Sequence, residues 1–484
     1  MDTAVDATGG EPMMPAGADY LSITERVASG RAARRRVAPG DLGEVPPGVL
    51  DAGTHRDPME LLLQQADSRV PELVPIRHGR MARSPFTFYR GAALPMADDL
   101  SRTPHSGMTV QLCGDAHLSN FGFFATPERR LAFDVNDFDE TYPGPFEWDV
   151  KRLAASLVVA ALDNGFGRKE GKAVARECAR EYRETMAAQA DLGTLDSWYS
   201  HTEPAGSLDG IRQTINAATA KNLEKQIKKA WRHNSLQALS KLTTVTDGKV
   251  GFVSSPPLIV PVEELLEPTA IEGAYAELHG RLRDFRETMP PHHRVLLDKF
   301  ELVAMARKVV GVGSVGTRAW VLLFRGKGDG DPLLLQAKEA QESVLARYLG
   351  GPEHLNQGER VVNGQRLIQA VSDVFLGWDS GVGFDGVYRD FYLRQLRDGK
   401  GSVVIETLDP AALRAYGRVC GRVLAYGHTR SGDPVAISEY LGSTDEFDRA
   451  MGRFAIRYAE CNARDHATFV AAIDRGAIAA IADY

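Results

Sequence analysis

Asp115 and Asn120, five residues apart in CGDAHLSN, form the pair in this 484-residue chain whose types and spacing point most directly to chemistry. A tight loop with an aspartate and an asparagine at that separation presents a base and an amide metal ligand toward one point. Two short apolar runs follow, FGFF and RLAF, separated by the turn ATPER, and they read as a tight hairpin. With strands of equal length, the returning strand brings Asp134 opposite Asn120. A base, an amide oxygen and a carboxylate at one point are what transfer of a phosphoryl group to a hydroxyl needs around Mg2+. Asp137 and Asp139 lie just beyond, and either could share or replace the metal role of Asp134 if the hairpin runs longer.

Phosphoryl transfer also needs a cation on the phosphates and a backbone-lined cover. Gly311, Gly313 and Gly316, with Ser314 between them, form GVGSVG. That string alone is weak, because a dinucleotide-binding fold uses it too. Such a fold needs a helix to begin inside the motif, whereas TRAWVLLFRG is β-branched and aromatic and then enters the turn GKGDGD. The spacing therefore predicts a flap between two antiparallel strands. A third strand, PLLLQAK, ends at Lys338.

CGDAHLSN followed by FD resembles the HGDxHxxN and hydrophobic-Asp loops of aminoglycoside phosphotransferases and other kinase-like enzymes. The resemblance implies Asp115 as catalytic base, Asn120 as metal ligand and Asp134 as counterpart of the aspartate in the kinase DFG loop, with Asp137 as its alternative. Cys113 stands where those families usually have His, a scaffolding position. In GPFEWDVKRLA, Asp149 resembles the aspartate that opens the helix after the metal loop and braces the catalytic loop. Lys338 resembles the lysine that contacts phosphates from the strand after the glycine-rich loop. Glu359, opening the apparent helix GERVVNGQRLIQAVS, is then its partner, with Glu342 and Glu353 as competitors.

Kinases place the glycine flap and lysine before the catalytic loop, and here the order is reversed. The resemblance thus implies a kinase-like, two-lobed α+β fold in circularly permuted order with a large helical lobe, in which LRAYGRVCGRVLAYGHTR supplies the helix that ordinarily precedes the catalytic loop. GRMARSPFTFYRGAA, the block from CGDAHLSNFG through NDFDET and PGPFEWDVKRLAASL, and YAECNARDH also resemble the bacterial domain-of-unknown-function family numbered 2252. That likeness carries the same kinase-like expectation and names no substrate.

The elements that must position these groups fall into five stretches. Residues 1–57 read as a disordered leader and a basic arm, RAARRR, taken as solvated; 58–150 hold short lead-in helices broken by prolines, then the catalytic and metal-binding loops. Residues 151–302 have helical period and include a lysine-rich helix over Lys221–Lys241 whose basic face is read as solvated. Residues 303–405 form a β-rich nucleotide-binding lobe, with strands at VVGVG, AWVLLF, PLLLQA, DVFLGW and DFYLRQL. Residues 406–484 return to helix and complete the helical lobe. Arg83 and Arg90 either meet a phosphate or substrate acid or brace the Asp-rich loop; His117 braces its loop and is not read as a metal ligand, because no second His lies at ligand spacing.

A net charge of -7 argues against nucleic acid as partner. The longest apolar run, around Leu153–Leu162, is too short to span a bilayer. Four scattered cysteines without a CxxC pair fit a reducing cytoplasm. The expectation is an ATP- and Mg2+-dependent phosphotransferase acting on a hydroxyl of a small molecule or protein. The alternatives are an adenylyl transferase, a catalytically silent ATP-binding regulator, and a dinucleotide-binding oxidoreductase.

Overall fold

The computed structural model describes residues 21–45, 56–202, 241–246, 249–309, 311–328, 330–351, 354–396 and 401–482, together with Lys221 and Leu239. The leader, most of the lysine-rich stretch and Glu353 lie outside the described residues. The architecture is mixed α+β: a helical body and antiparallel sheets.

The helix Glu147–Asp163 runs through the helical body, and its side chains are buried without a break from Glu147 to Ala161. A helix buried on every side must be enclosed by other elements. Arg168–Ala190, Pro410–Ser431 and Glu446–Asp474 pack with it in one core. Two of them approach closely at Gly421, where a Cβ would sit 2.5 Å from the Cys178 carbonyl oxygen.

Four short strands hold the first set of candidate residues. β1 (Thr109–Leu112) pairs with β4 (Tyr142–Pro145), and β2 (Phe121–Ala125) pairs with β3 (Leu131–Val135), both antiparallel. The expected hairpin is therefore present, but its register differs from the equal-strand reading: Asp134 pairs with Gly122, and the Asn136 N–H donates to the Asn120 carbonyl at 2.9 Å. The ribbon thus closes two residues later than expected.

After the small hairpin of β5 (Thr243–Thr246) and β6 (Lys249–Phe252), six strands form one sheet. They are β7 (Ile259–Pro261), β8 (Glu301–Lys308), β9 (Ala319–Arg325), β10 (Pro332–Ala340), β11 (Gly377–Val382) and β12 (Tyr388–Gln395), in the order β11-β12-β10-β9-β8-β7 with every pair antiparallel. AWVLLF is continuously apolar because both faces of β9 are covered. Trp320, Leu322 and Phe324 join the cluster of Phe285 and Met289, while Val321 and Leu323 join that of Leu242 and Phe252.

Three expectations change here. Residues 151–302 are not all helical, since β5, β6 and β7 fall inside them, and the helices Pro268–Glu287 and Pro291–Leu297 supply Phe285 and Leu297 to the sheet's core. Their strands are only three or four residues long, too short for a period of two to stand out. VVGVG is not a strand: β8 ends at Lys308, and Gly311 has φ +68°, a left-handed conformation that interrupts a strand. RAARRR is no loose arm but the end of the helix Ile23–Arg36, where Arg34 donates to the Tyr440 and Leu441 carbonyls and pairs with Glu446.

All four cysteines are buried free thiols. Among the described residues no helix is long and apolar enough to cross a membrane.

Candidate functional site

The loop after β1 is bent by Gly114, at φ +86°, and a Cβ there would lie 2.0 Å from the Glu140 carbonyl oxygen. Only glycine meets both conditions. The Cys113 and Gly114 N–H groups donate to the Asp149 carboxylate at 2.8 and 3.1 Å. The His428 ring nitrogen Nε2 faces the same carboxylate at 3.3 Å, and the Tyr182 hydroxyl meets Nδ1 at 2.8 Å. Asp149, near the start of the central helix, thus ties the loop to two other helices.

The loop in turn sets Asp115. Arg152, one turn after Asp149, donates from Nε to Asp115 Oδ1 at 2.8 Å. His117 accepts from the Ser119 N–H through Nδ1, and its Nε2 stands 3.7 Å from Asp115 Oδ2. Burial, joined by Arg90 and Arg152 and opposed by Asp115 and Asp137, pushes His117 down to about 4, so it is neutral near pH 7 and serves the loop as a brace. Asn120 Nδ2 donates back to the Asp115 carbonyl at 2.8 Å, which commits the amide nitrogen and leaves Oδ1 as the side chain's acceptor.

A cleft of about 420 Å³ opens beside this loop, and Asp115, Asn120, Asp137, Asp139, Gly313 and Ser314 all line it. Asp134 is not among the lining residues. With the longer ribbon Asp137, the alternative to Asp134, lines the cleft together with Asn120, and Asp134 does not. Buried within β3, Asp134 instead feels Arg430, and burial nonetheless pushes its carboxyl up to about 7. The folded chain therefore holds a proton there that the unfolded chain releases above about pH 4. Stability contributed by that proton is lost as pH rises from about 4 toward 7, at about 1.4 kcal/mol per unit. Asp134→Asn, which mimics the protonated acid, is expected to raise the melting temperature at pH 8 and to leave it nearly unchanged at pH 4.5. An equal gain at both pH values in a melting series would contradict this.

Across the cleft stands the sheet. Alternation along β10 puts Gln336 and Lys338 on the face opposite Leu335 and Ala337, and the paired residues of β12, Arg394 and Tyr392, share it. Lys338 is buried, contacts Asp139 directly and lies 3.5 Å from Asp137 Oδ1. Burial opposes its charge, but Asp137 and Asp139 hold the ammonium above the ordinary lysine range. The Tyr392 hydroxyl donates to Asp139 Oδ1 at 2.8 Å, and Arg394 donates to the Asn136 carbonyl at 2.9 Å.

The lysine's partners are therefore these aspartates and not Glu359. The helix Gln357–Ile368 turns Arg360, one residue on, toward the site, where it donates to the carbonyls of Asp139 and Gln341 at 2.8 Å. Glu359 sits in the first turn, its N–H capped by Asn356. Glu342 does line the cleft.

The glycine-rich segment connects β8 to β9, as a flap between antiparallel strands requires, and no helix begins in it. Ser314 Oγ stands 3.5 Å from Asp139 Oδ2. The flap is clamped: Val312 and Val315 are buried among residues of the lead-in helices, Arg80 donates to the Gly311 carbonyl at 2.6 Å, and the Val70 N–H donates to Gly316 at 2.8 Å. Arg90 lines the cleft, whereas Arg83 reaches away to the Ala482 carbonyl at 3.0 Å.

The donors around Asn120, Asp137 and Asp139 are all oxygen, the set that suits Mg2+. Among the described residues no cluster of three His, Cys, Asp or Glu forms a closed metal cage. One or two carboxylates plus substrate phosphates is the usual way Mg2+ is held, so the residues present fit it. A second cavity of about 370 Å³, between the helix Pro268–Glu287 and the sheet, is walled largely by apolar side chains such as Leu278, Phe285 and Trp320 and lacks this convergence.

Several participants escaped the sequence reading. Arg152 follows Asp149 by three residues on one helical face, a signal that was present; Arg360 and Tyr392 carry none. No curated protein and no solved structure matches the chain. Residues 69–472 match the family described as uncharacterized protein conserved in bacteria (DUF2252), a span that includes every residue of the cleft named above, and the chain belongs to that family.

Proposed function

We propose that the chain is an ATP- and Mg2+-dependent phosphotransferase with a kinase-like fold in permuted order, acting on a hydroxyl. The observation that carries this reading is the junction of Lys338 with Asp137 and Asp139. It unites the strand behind a glycine-rich flap with the loop that follows Asp115 and Asn120, across about two hundred residues of chain. Two further features support it. The strand that follows the flap, the lysine strand and the final two strands come in the spatial order β9-β10-β12-β11, with the flap strand β8 at the side of β9. Ser431, closing the helix Pro410–Ser431, accepts from the Gln111 N–H at 2.8 Å, so the late helix ends beside the strand that leads into the Asp115 loop, as permutation requires.

In this reading the acceptor's hydroxyl oxygen bonds to the γ-phosphorus, the bond to the β,γ-bridging oxygen breaks, ADP leaves with that electron pair, and Asp115 accepts the hydroxyl proton. Arg152 orients Asp115. Lys338 meets the phosphates, and Asn120 and Asp137, with Asp139, would hold Mg2+, which supplies charge neutralisation when bound.

MgATP is expected to raise the melting temperature, and NADH to leave it unchanged. Transfer of label from γ-labelled and not α-labelled ATP distinguishes phosphorylation from adenylylation. Asp115→Ala is expected to slow that transfer by about 10²- to 10⁴-fold while MgATP still binds. Stabilisation by NADH but not ATP, or full turnover in Asp115→Ala, would sink the reading.

A further inference from the structure

The cleft has a second wall, built of arginines. Arg69, Arg77 and Arg90 come from the lead-in helices and the turn before them, and all three line the cleft. Arg69 and Arg77 are almost wholly buried, at 6% and 0% exposure. Their hydrogen bonds go only to neutral oxygens: Arg69 to the Val315 carbonyl, Arg77 to Gln65 Oε1 and the Gly91 carbonyl, each of the latter at 2.8 Å. The Nε of all three, and Nη1 of Arg77, are buried without a hydrogen-bond partner. Among the described residues no carboxylate forms an ion pair with any of them.

A buried guanidinium with no carboxylate bonded to it is costly, and like charges sharing one space raise the cost; Glu140, Asp139 and Glu339 attract Arg69, and Asp115 and Asp137 attract Arg90, without pairing with them, while Arg77 meets the like charge of Arg69. Burial, and the neighbouring Arg69, push Arg77 well below the ordinary arginine range. An arrangement of this kind persists where an anion completes it, because the planar fork of each guanidinium matches the oxygens of phosphate or carboxylate. The acidic wall, Asp115, Asp137 and Asp139, already has its task in the phosphotransfer reading. Three arginines lining the same cleft are in excess of the single cation, Lys338, which that reading places on the nucleotide. They also belong to the lead-in segment of residues 58–100, which precedes the catalytic loop in the chain.

We propose that Arg69, Arg77 and Arg90 form an oxyanion site that holds a phosphate or carboxylate of the acceptor, so that the substrate is an anionic hydroxyl compound anchored by its acid while its hydroxyl meets Asp115. The inference rests on the phosphotransfer reading and names the substrate class for it.

Inorganic phosphate is the probe. It is expected to raise the melting temperature of the wild-type chain at millimolar concentration, and Arg69→Gln and Arg90→Gln are each expected to weaken phosphate binding by about tenfold or more. Calorimetric MgATP affinity in the same variants is expected to stay within about threefold. Arg90→Gln removes no hydrogen bond of its own side chain and should melt no lower than wild type without ligand, which separates lost binding from lost folding. Absence of phosphate stabilisation, or stabilisation that both variants retain, overturns the oxyanion site. An equal loss of MgATP affinity assigns the arginines to the nucleotide's own phosphates and overturns the acceptor assignment. Should MgATP fail to bind the wild type while phosphate binding follows the arginines, the phosphotransfer reading falls and the acceptor assignment with it.

Discussion

Asp137→Ala is expected to lower phosphoryl transfer by about 10³-fold or more, whereas Asp134→Asn is expected to leave it within about threefold. The contrast follows from register. Asn136 pairs with Asn120, so the first side chain beyond the ribbon on the cleft side is that of Asp137, within 3.5 Å of Lys338. Asp134, opposite Gly122, is sealed within the hairpin. In the proposed phosphotransfer, removing Asp137 deletes a charged oxygen ligand at the point where phosphates would meet Lys338, while Asp134→Asn replaces an acid with an amide of the same shape away from the cleft. Initial rates with γ-labelled ATP measure both. Loss of transfer in Asp134→Asn with transfer intact in Asp137→Ala would reverse the assignment. The MgATP-induced rise in melting temperature should follow the same division.

The second large effect is structural. Asp149→Ala is expected to destabilise the helical body by roughly 3–5 kcal/mol, because it strands the buried N–H of Cys113 and the half-buried N–H of Gly114 and removes one of the two partners of His428. Asp149→Asn keeps the shape and one acceptor oxygen, and should cost roughly 1–3 kcal/mol. Denaturant unfolding ranks the two, and hydrogen exchange at the Cys113 and Gly114 amides reads the mechanism directly: both should exchange faster in Asp149→Ala. Unchanged protection there would show that other contacts hold the loop. Since Asp149 also sits three residues before Arg152 on one helix, activity should fall with stability in this variant.

These two residues also show what could be read without coordinates. The spacing of Asp115 to Asn120, the hairpin after them, the strand β9 and the place of Lys338 on β10, which runs on to Ala340, were legible because each is set by neighbours in sequence: alternation, turn composition and loop length are local. The resemblance around Asp149 extended that reading to a long-range brace, and its carboxylate does meet the Cys113 and Gly114 amides.

What the sequence alone could not decide were registers and faces. Whether Asp134 or Asp137 reaches the cleft depends on two more residues of pairing, which the contact of the ribbon with its surroundings settles, the Phe123 N–H with the Gly401 carbonyl among them. Whether Glu359 or Arg360 faces Asp139 is a step of one residue, about 100° around a helix, and both patterns look alike in a sequence. The arginine wall has no signature at all, since Arg69, Arg77 and Arg90 are ordinary members of a charged composition until folding buries them in one cleft. So the sequence by itself determined the local pieces that could bind phosphate and accept a proton. Only the tertiary structure decided which aspartate meets Lys338 and which cations share the cavity, because those are distances between segments that no local periodicity encodes.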